Sequence, residues 1–396
     1  MDTKKRKSFA LIVILFCSLF FTLGIKPVIA SSGTSQIYWG AFVGPSHKVP
    51  YSALQTFENQ VGKSVSIWNW IQLWNRPKDR ENSPVFEQTW MDECRNHGAI
   101  PMISWSPEAS DEAPEFTNLQ SILDGKEDTY LKAWGQASAA WGHPYFIRLM
   151  WEFTGSWTDN NPNGNPPFYG YGIYPWGNGN TPEKFVQAWQ RIVDKVRDAG
   201  GTQISWVWCP AAIGDSVSTL QSLYPGENYV DWVGPDIYLV AGQHLSDFSE
   251  INTVRTVAPN KPMMFPEFGY KGDESASWWP NFLGNELPNQ YPYIKAIVFW
   301  QDPANGWDNT IPSTLPAFSQ AISSSYFSSN TYRSLNTSPI TPLGNSPNPT
   351  LAPASTPSGV GGLHMTATFA VVSGATAVVV LAVCLLVYFK KRKHQE

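Results

Sequence analysis

Two glutamates, each at the end of an apolar run, are the residues of this chain best suited to chemistry. Glu152 ends the run Ile147-Arg-Leu-Met-Trp-Glu, and Glu267 ends Pro262-Met-Met-Phe-Pro-Glu. Such runs are typical of buried strands, where a carboxylate is costly unless it is paired or used. Two carboxyl groups brought together in one site are the catalytic pair that most enzymes use to cleave a glycosidic bond.

The apolar runs recur in the pattern of an α/β fold, a single (β/α)8 barrel. Candidate strands alternate with helix-like segments over residues 36–327, and the strands are rich in Ile, Val, Phe and Trp. The clearest helix is Pro182–Ala199, with Thr181 as N-cap, one apolar face and a glycine pair as its stop. Eight strands in alternation favour the barrel over a doubly wound sheet. The predicted strands are Ile37–Val43, Val65–Leu73, Ala99–Trp105, Tyr145–Phe153, Gln203–Cys209, Val230–Tyr238, Pro262–Phe268 and Ile294–Trp300.

A barrel of this kind brings both glutamates to one face. Its active site lies at the C-terminal ends of the strands, and the glutamates end the fourth and seventh predicted strands. We therefore predict a carboxyl separation of about 5 Å, the retaining geometry. Side chains alternate between the two faces of a strand, so Arg148 and Glu152 are predicted to share the inner face of the barrel. Asp236 and Tyr238 are predicted to share it for the same reason. A tyrosine hydroxyl beside one of the carboxylates would hold it ionised and oriented.

Aromatic residues are unusually frequent. The chain has 19 Trp, 16 Tyr and 21 Phe, together 14% of its residues, and many Trp lie near the ends of apolar runs. Core packing accounts for most of them, whereas the rest can stack on the C–H faces of sugar rings. Trp300, which ends the eighth strand, is predicted to be the floor of the sugar subsite, and Trp157 is also predicted to face the sugar.

Four segments, in order and spacing, resemble glycoside hydrolase family 26: Arg148–Trp157, Tyr174–Gly177, Val230–Tyr238 and Met264–Gly269. That family consists largely of β-mannanases, with some β-glucan and xylan enzymes, on a retaining (β/α)8 barrel. The resemblance covers about residues 36–325. It implies that Glu152 is the acid/base and Glu267 the nucleophile, with Tyr238 as hydrogen-bond partner of the nucleophile. The site-lining residues that the resemblance implies are Arg148, Asp236, Trp157 and Trp300.

The chain departs from the family pattern at Trp151, where the family usually has a histidine directly before the acid/base. An indole only donates a hydrogen bond, whereas an imidazole donates or accepts one. We expect Trp151 to line the substrate site and to affect the preference for mannan more than the hydrolytic chemistry. A second departure is the insert Thr158–Ile173, which lengthens the loop after the fourth strand.

Both ends of the chain resemble targeting segments. Residues 1–30 combine a basic start with an apolar run and predict a signal peptide. Residues 366–389, followed by the basic residues 390–396, predict a transmembrane helix with a cytoplasmic tail; a removable sorting tail is the alternative. Residues 328–362 are rich in Ser, Thr and Pro and predict an extended linker. The barrel is thus expected on the extracellular face of the cell membrane.

Charge and motif content exclude several other function classes. The full chain carries a net charge of −5, and removal of both basic ends leaves about −12, which argues against nucleic acid as a partner. The histidines lack metal-ligand spacing, and no Gly-x-Ser-x-Gly motif is present. Cys94 and Cys209 lie outside the predicted signal and span, and their spacing leaves a disulfide open.

The sequence therefore predicts a retaining endo-β-glycanase that hydrolyses β-1,4-linked polysaccharide, with β-mannan as the first expectation. A mixed-linkage β-glucanase or a xylanase of the same family is the alternative. A cell-surface barrel that binds carbohydrate without turnover is an alternative of a different class, and Trp151 is its main support. We expect a monomer that needs neither cofactor nor metal, with polysaccharide and the membrane as its partners.

Overall fold

The computed structural model describes residues 36–44, 50–75, 85–109, 119–154, 181–272 and 275–344. Within these ranges, nine parallel strands form one sheet in the order β6-β5-β4-β3-β2-β1-β9-β8-β7, and a pairing between β6 and β8 closes it into a barrel. The strands are β1 Tyr38–Val43, β2 Ile67–Asn75, β3 Ile100–Ala109, β4 Tyr145–Leu149, β5 Ile204–Trp208, β6 Trp232–Val233, β7 Ile237–Val240, β8 Met263–Lys271 and β9 Ile294–Gln301.

Nine strands occupy eight positions because the sixth predicted strand is split into β6 and β7. The break falls at Gly234-Pro235, where proline lacks the N–H that a ladder needs. Gly234 is required there, because a side chain would collide with the carbonyl oxygen of Met264. β6 pairs with β5 and touches β8 through Val233 and Met263, whereas β7 pairs with the upper half of β8. The predicted (β/α)8 barrel is confirmed.

Helices connect most of the strands and surround the barrel. The predicted helix at Pro182–Ala199 is confirmed as α5: Thr181 Oγ1 accepts from the backbone N–H of Lys184 at 3.3 Å, and Pro182 opens the first turn. Residues 282–286 form a π-helical turn between α8 and α9. The helices are α1 Tyr51–Val61, α2 Gln88–His97, α3 Leu119–Leu123, α4 Asp128–Trp141, α5 Pro182–Asp198, α6 Val217–Ser222, α7 Glu250–Val257, α8 Ser275–Asn281, α9 Leu287–Gln290 and α10 Leu315–Ile322.

Side chains alternate between the outer and inner faces of each strand, and this gives two apolar layers. Outward-facing residues pack against the helices in one large cluster, which holds most of the buried tryptophans. Inward-facing residues fill the lower barrel; they are Tyr38, Ile67, Ile100, Met102, Phe146, Val207, Trp232, Met264, Ala296 and Val298. A smaller cluster of Phe42, Ile71, Trp151 and Cys209 lies at the C-terminal ends of the strands.

The first part of the predicted linker belongs to the folded domain. Ile340 is 2% exposed and packs into the inward-facing layer. Its N–H donates to Ser205 Oγ at 2.8 Å, and its carbonyl accepts from Trp232 Nε1 at 2.7 Å. The physical reason is that the lower end of the barrel is apolar and needs a cover. Residues 328–344 are therefore part of the barrel domain, and residues 345–362 of the predicted linker lie outside the described residues.

The predicted signal peptide (1–30), transmembrane helix (366–389) and basic tail (390–396) lie outside the described residues. Among the helices that the structure describes, none is both long and apolar enough to cross a membrane.

The possible disulfide between Cys94 and Cys209 is not formed. Both side chains are buried free thiols. Cys94 lies on α2 in the outer layer, whereas Cys209 follows β5 inside the mouth of the barrel. The strands between them keep the two thiols apart.

Candidate active site

A fully buried arginine holds the centre of the site together. Arg148, on β4, donates from Nη1 to Glu267 Oε1 and from Nη2 to Asp236 Oδ2, and Nη1 also donates to Ser104 Oγ at 3.1 Å. A buried charge of this kind is stable only with such partners. Burial alone would lower the pKa of Arg148, but the Asp236 and Glu267 carboxylates raise the pKa well above its usual value. The guanidinium therefore stays charged between two carboxylates.

Glu267 lies on β8 and is 5% exposed. The Tyr238 hydroxyl donates to its Oε2 at 2.5 Å, while Arg148 donates to its Oε1. Burial, and then the charge of Glu267, raise the pKa of Tyr238 well above its usual value. The phenol thus keeps its proton and acts as a donor. Two donors on two oxygens fix the orientation of the carboxylate, as the sequence predicts for a tyrosine beside a carboxylate.

Glu152 does not lie on a strand. β4 ends at Leu149, and the chain then turns through Met150 and Glu152, which have positive φ values of 43° and 53°. The prediction that the strand continues to Phe153 is wrong, because this left-handed turn replaces the strand. The turn nevertheless places the Glu152 side chain, which is 7% exposed, over the barrel.

The three carboxylates converge at one point. One oxygen each from Glu152, Asp236 and Glu267 lie within 4.8 Å of one another. The two glutamates thus each place an oxygen within 4.8 Å of the other at the mouth of the barrel. Among the residues that the structure describes, these three carboxylates form a group that could hold a cation. Because the Arg148 guanidinium already binds two of its members, we regard the cluster as suited to proton transfer and nucleophilic attack.

Asp236 precedes β7 and is buried. The Cys209 thiol donates to its Oδ1 at 3.3 Å. Burial raises the pKa of Asp236 well above its usual value; Arg148 opposes this shift, and Glu267 and Glu152 add to it. Burial, then the Asp236 charge, likewise raise the pKa of Cys209. Sequence reasoning did not find that Cys209 lies in the site. The signal was available, because Cys209 comes two residues after Val207, which points into the barrel on β5.

The aromatic rim has a stacked pair. The ring of Trp300, at the end of β9, lies 3.9 Å from that of Phe42 with planes 2° apart. Phe42 covers one face, and Trp300 remains half-buried at the mouth. Trp151 is 4% exposed and lies in the same apolar cluster, and the Arg148 guanidinium lies 5.3 Å from its ring centroid. That Trp151 lines the substrate site stays a prediction, and Trp157 and the insert Thr158–Ile173 lie outside the described residues.

Trp307 is a further aromatic residue at the rim. It lies in the loop after β9, where its ring packs 4.9 Å from that of Tyr238. Lys271 Nζ lies 4.4 Å from the same indole and donates to the Asn305 carbonyl at 2.7 Å. Sequence reasoning missed Trp307, because it follows no apolar run and only the fold places it against Tyr238.

The family model of glycosyl hydrolase family 26 matches residues 136–323, which contain Arg148, Glu152, Asp236, Tyr238 and Glu267. This part of the chain is thus similar to glycosyl hydrolase family 26.

The similar proteins of known name are distant in sequence. Endoglucanase H of Acetivibrio thermocellus is 28% identical over 310 residues, which are 72% of this chain and 30% of that protein. The chain thus spans less than a third of that relative's length. Two solved structures share the fold. The YdhT protein of Bacillus subtilis has a TM-score of 0.56 and 20% identity over 74% of this chain and 86% of that one. A double mutant of the Cellulomonas fimi endo-β-1,4-mannanase has a TM-score of 0.57 and 17% identity over 76% of this chain and 74% of that one.

Proposed function

We propose that the chain is a retaining endo-β-glycanase that hydrolyses β-1,4-linked polysaccharide, with β-mannan as its substrate. The observation that carries the proposal is the approach of the Glu152 and Glu267 carboxyls, whose oxygens lie within 4.8 Å at the mouth of the barrel. Retaining enzymes hold their two carboxyls about 5–5.5 Å apart, whereas inverting enzymes need about 6.5–9.5 Å to admit a water. The separation supports a covalent intermediate.

The surroundings of the two glutamates support different roles. Glu267, oriented by Arg148 and Tyr238, attacks the anomeric carbon and forms a glycosyl-enzyme. Glu152 protonates the leaving oxygen and then removes a proton from the water that releases the sugar. Arg148 neutralises charge beneath the nucleophile, and the half-buried Trp300 supplies a flat face for the sugar ring that is attacked.

The comparisons support two candidate polymers. Family 26 and the fold shared with a mannanase support β-mannan. The match to Endoglucanase H supports the second candidate, a β-glucan with mixed or β-1,4 linkages. We further propose that the enzyme is monomeric and is secreted and anchored to the cell membrane by residues 366–389, as the sequence of its ends predicts.

The test is reducing-sugar release from soluble mannan, lichenan and xylan by the full chain, compared with Glu152→Ala and Glu267→Ala. We expect turnover of at least one polymer and a loss of about 10³-fold or more in each variant. Proton NMR of the first product should show the β-anomer. Binding of a glycan without release of sugar would establish the binding alternative, and release of the α-anomer would contradict the retaining assignment.

A further inference from the structure

The turn that carries Glu152 is strained. Met150 and Glu152 have φ values of 43° and 53°, in the left-handed region that non-glycine residues rarely adopt. Such residues persist only where their surroundings hold them in place. The contacts that hold this turn therefore decide where the Glu152 carboxyl lies.

Two of these contacts are made by the backbone. The Met150 N–H donates to the Trp105 carbonyl at 3.0 Å, and the Glu152 N–H donates to the Cys209 carbonyl at 2.8 Å. They join the turn to the middle of β3 and to the residue that follows β5, on either side of β4. Both are backbone contacts, so a substitution at Thr154 removes neither their donors nor their acceptors.

A further contact of this turn is made by a side chain. The hydroxyl of Thr154, two residues after Glu152, accepts from the Ala211 N–H at 3.1 Å and donates to the Ala211 carbonyl at 3.4 Å. Both residues are buried, so loss of the hydroxyl would leave the Ala211 N–H without this partner. Ala211 is in turn bridge-paired with Asp236, which binds Arg148. Thr154 thus joins the Glu152 turn to the framework that orients Glu267.

We infer that Thr154 is a positioning residue for the acid/base: its hydroxyl clamps the strained turn to Ala211 and so holds the Glu152 carboxyl at the cleavage point. This inference rests on the proposed function. The clamp acts on protonation of the leaving oxygen, since that step needs Glu152 as an acid. The clamp should matter little where the leaving group departs without a proton.

The experiment compares Thr154→Val, which keeps shape and loses the hydroxyl, with Thr154→Ser, which keeps the hydroxyl, in the full chain. On the polymer that the wild type hydrolyses best, we expect Thr154→Val to lower kcat about tenfold while KM stays within about twofold. Thr154→Ser should keep most of the rate. The matched control is Thr253→Val on α7, where the lost hydroxyl bond goes to the carbonyl of Ser249 just before the helix and kcat should not change.

A second substrate isolates the acid step. With a 2,4-dinitrophenyl glycoside of the same sugar, whose leaving group needs no protonation, kcat/KM of Thr154→Val should match the wild type. Equal losses on both substrates, or no loss on the polymer, would overturn the clamp while the proposed function stands. A wild type that releases sugar from neither substrate would overturn the proposed function, and the clamp with it. Thr154→Ala makes the same test if the valine variant does not fold.

Discussion

The Tyr238 hydroxyl lies 2.5 Å from Oε2 of Glu267, while Arg148 binds the other oxygen of the same carboxylate. A neutral donor and a cation thus bind the same carboxylate. In the proposed mechanism, attack by Glu267 therefore depends on two side chains from different strands, β4 and β7.

Tyr238→Phe removes the neutral donor and keeps the ring against Trp307. A hydrogen bond to a charged group contributes about 1.5–3 kcal/mol, so we expect kcat to fall by about 10–100-fold. Steady-state rates on the best polymer measure the effect. Tyr229→Phe is the matched control, because the Tyr229 hydroxyl contacts Asp194 on the surface at 3.3 Å, far from the mouth. A Tyr238→Phe variant with the wild-type rate would show that Arg148 alone orients the nucleophile.

Trp300→Ala removes the exposed member of the pair with Phe42. Aromatic stacking contributes about 0.5–1.5 kcal/mol beyond area burial, so the KM for polymer should rise about 2–10-fold, and Trp300→Phe should recover part of the loss. Initial rates over a range of polymer concentrations measure this. If KM is unchanged in both variants, Trp300 packs on Phe42 without meeting the sugar.

Strand positions could be read from the sequence because buried parallel strands are continuous apolar runs. The same reading placed Glu152 and Glu267 at the ends of two strands; the barrel brings the two residues together, although Glu267 lies inside β8, which continues to Lys271. It failed at Glu152 itself, since counting alternate residues assumes that the strand continues, and β4 ends at Leu149. The left-handed turn depends on backbone partners in β3 and β5, which are distant in sequence.

The prediction of a linker at residues 328–344 failed for the same reason, because contacts with residues distant in sequence decide the structure there. Composition assigned residues 328–344 to a linker, because a lone isoleucine among Ser, Thr and Pro makes no pattern. Ile340 is buried since the barrel is open and apolar below, a property of the whole sheet. Phe42 and Cys209 are different: both follow the inward parity of their strands, so counting could have found them.

Glu286 gives a prediction for the pH dependence of stability. Burial raises the pKa of Glu286 above its ordinary value of 4.5, with His244 opposing the shift. The folded state then binds more protons than the unfolded state, so ionisation of Glu286 lowers the free energy of unfolding as pH rises from about 4.5. Glu286→Gln removes this loss. In urea unfolding, the stability of the variant relative to wild type should therefore increase between pH 4.5 and 7. A constant or decreasing difference would contradict the assignment.

Ile340→Ala tests whether residues 328–344 are a structural cover for the barrel. Truncation of a fully buried isoleucine costs about 2–5 kcal/mol, so the melting temperature should fall by several degrees. The rate at low temperature should be unchanged, because Ile340 lies at the opposite end of the barrel from Glu152 and Glu267. Ile311→Ala is the matched control, since Ile311 is 42% exposed and its truncation should change the melting temperature little. Equal melting temperatures for the two variants would mean that the barrel is stable without this cover.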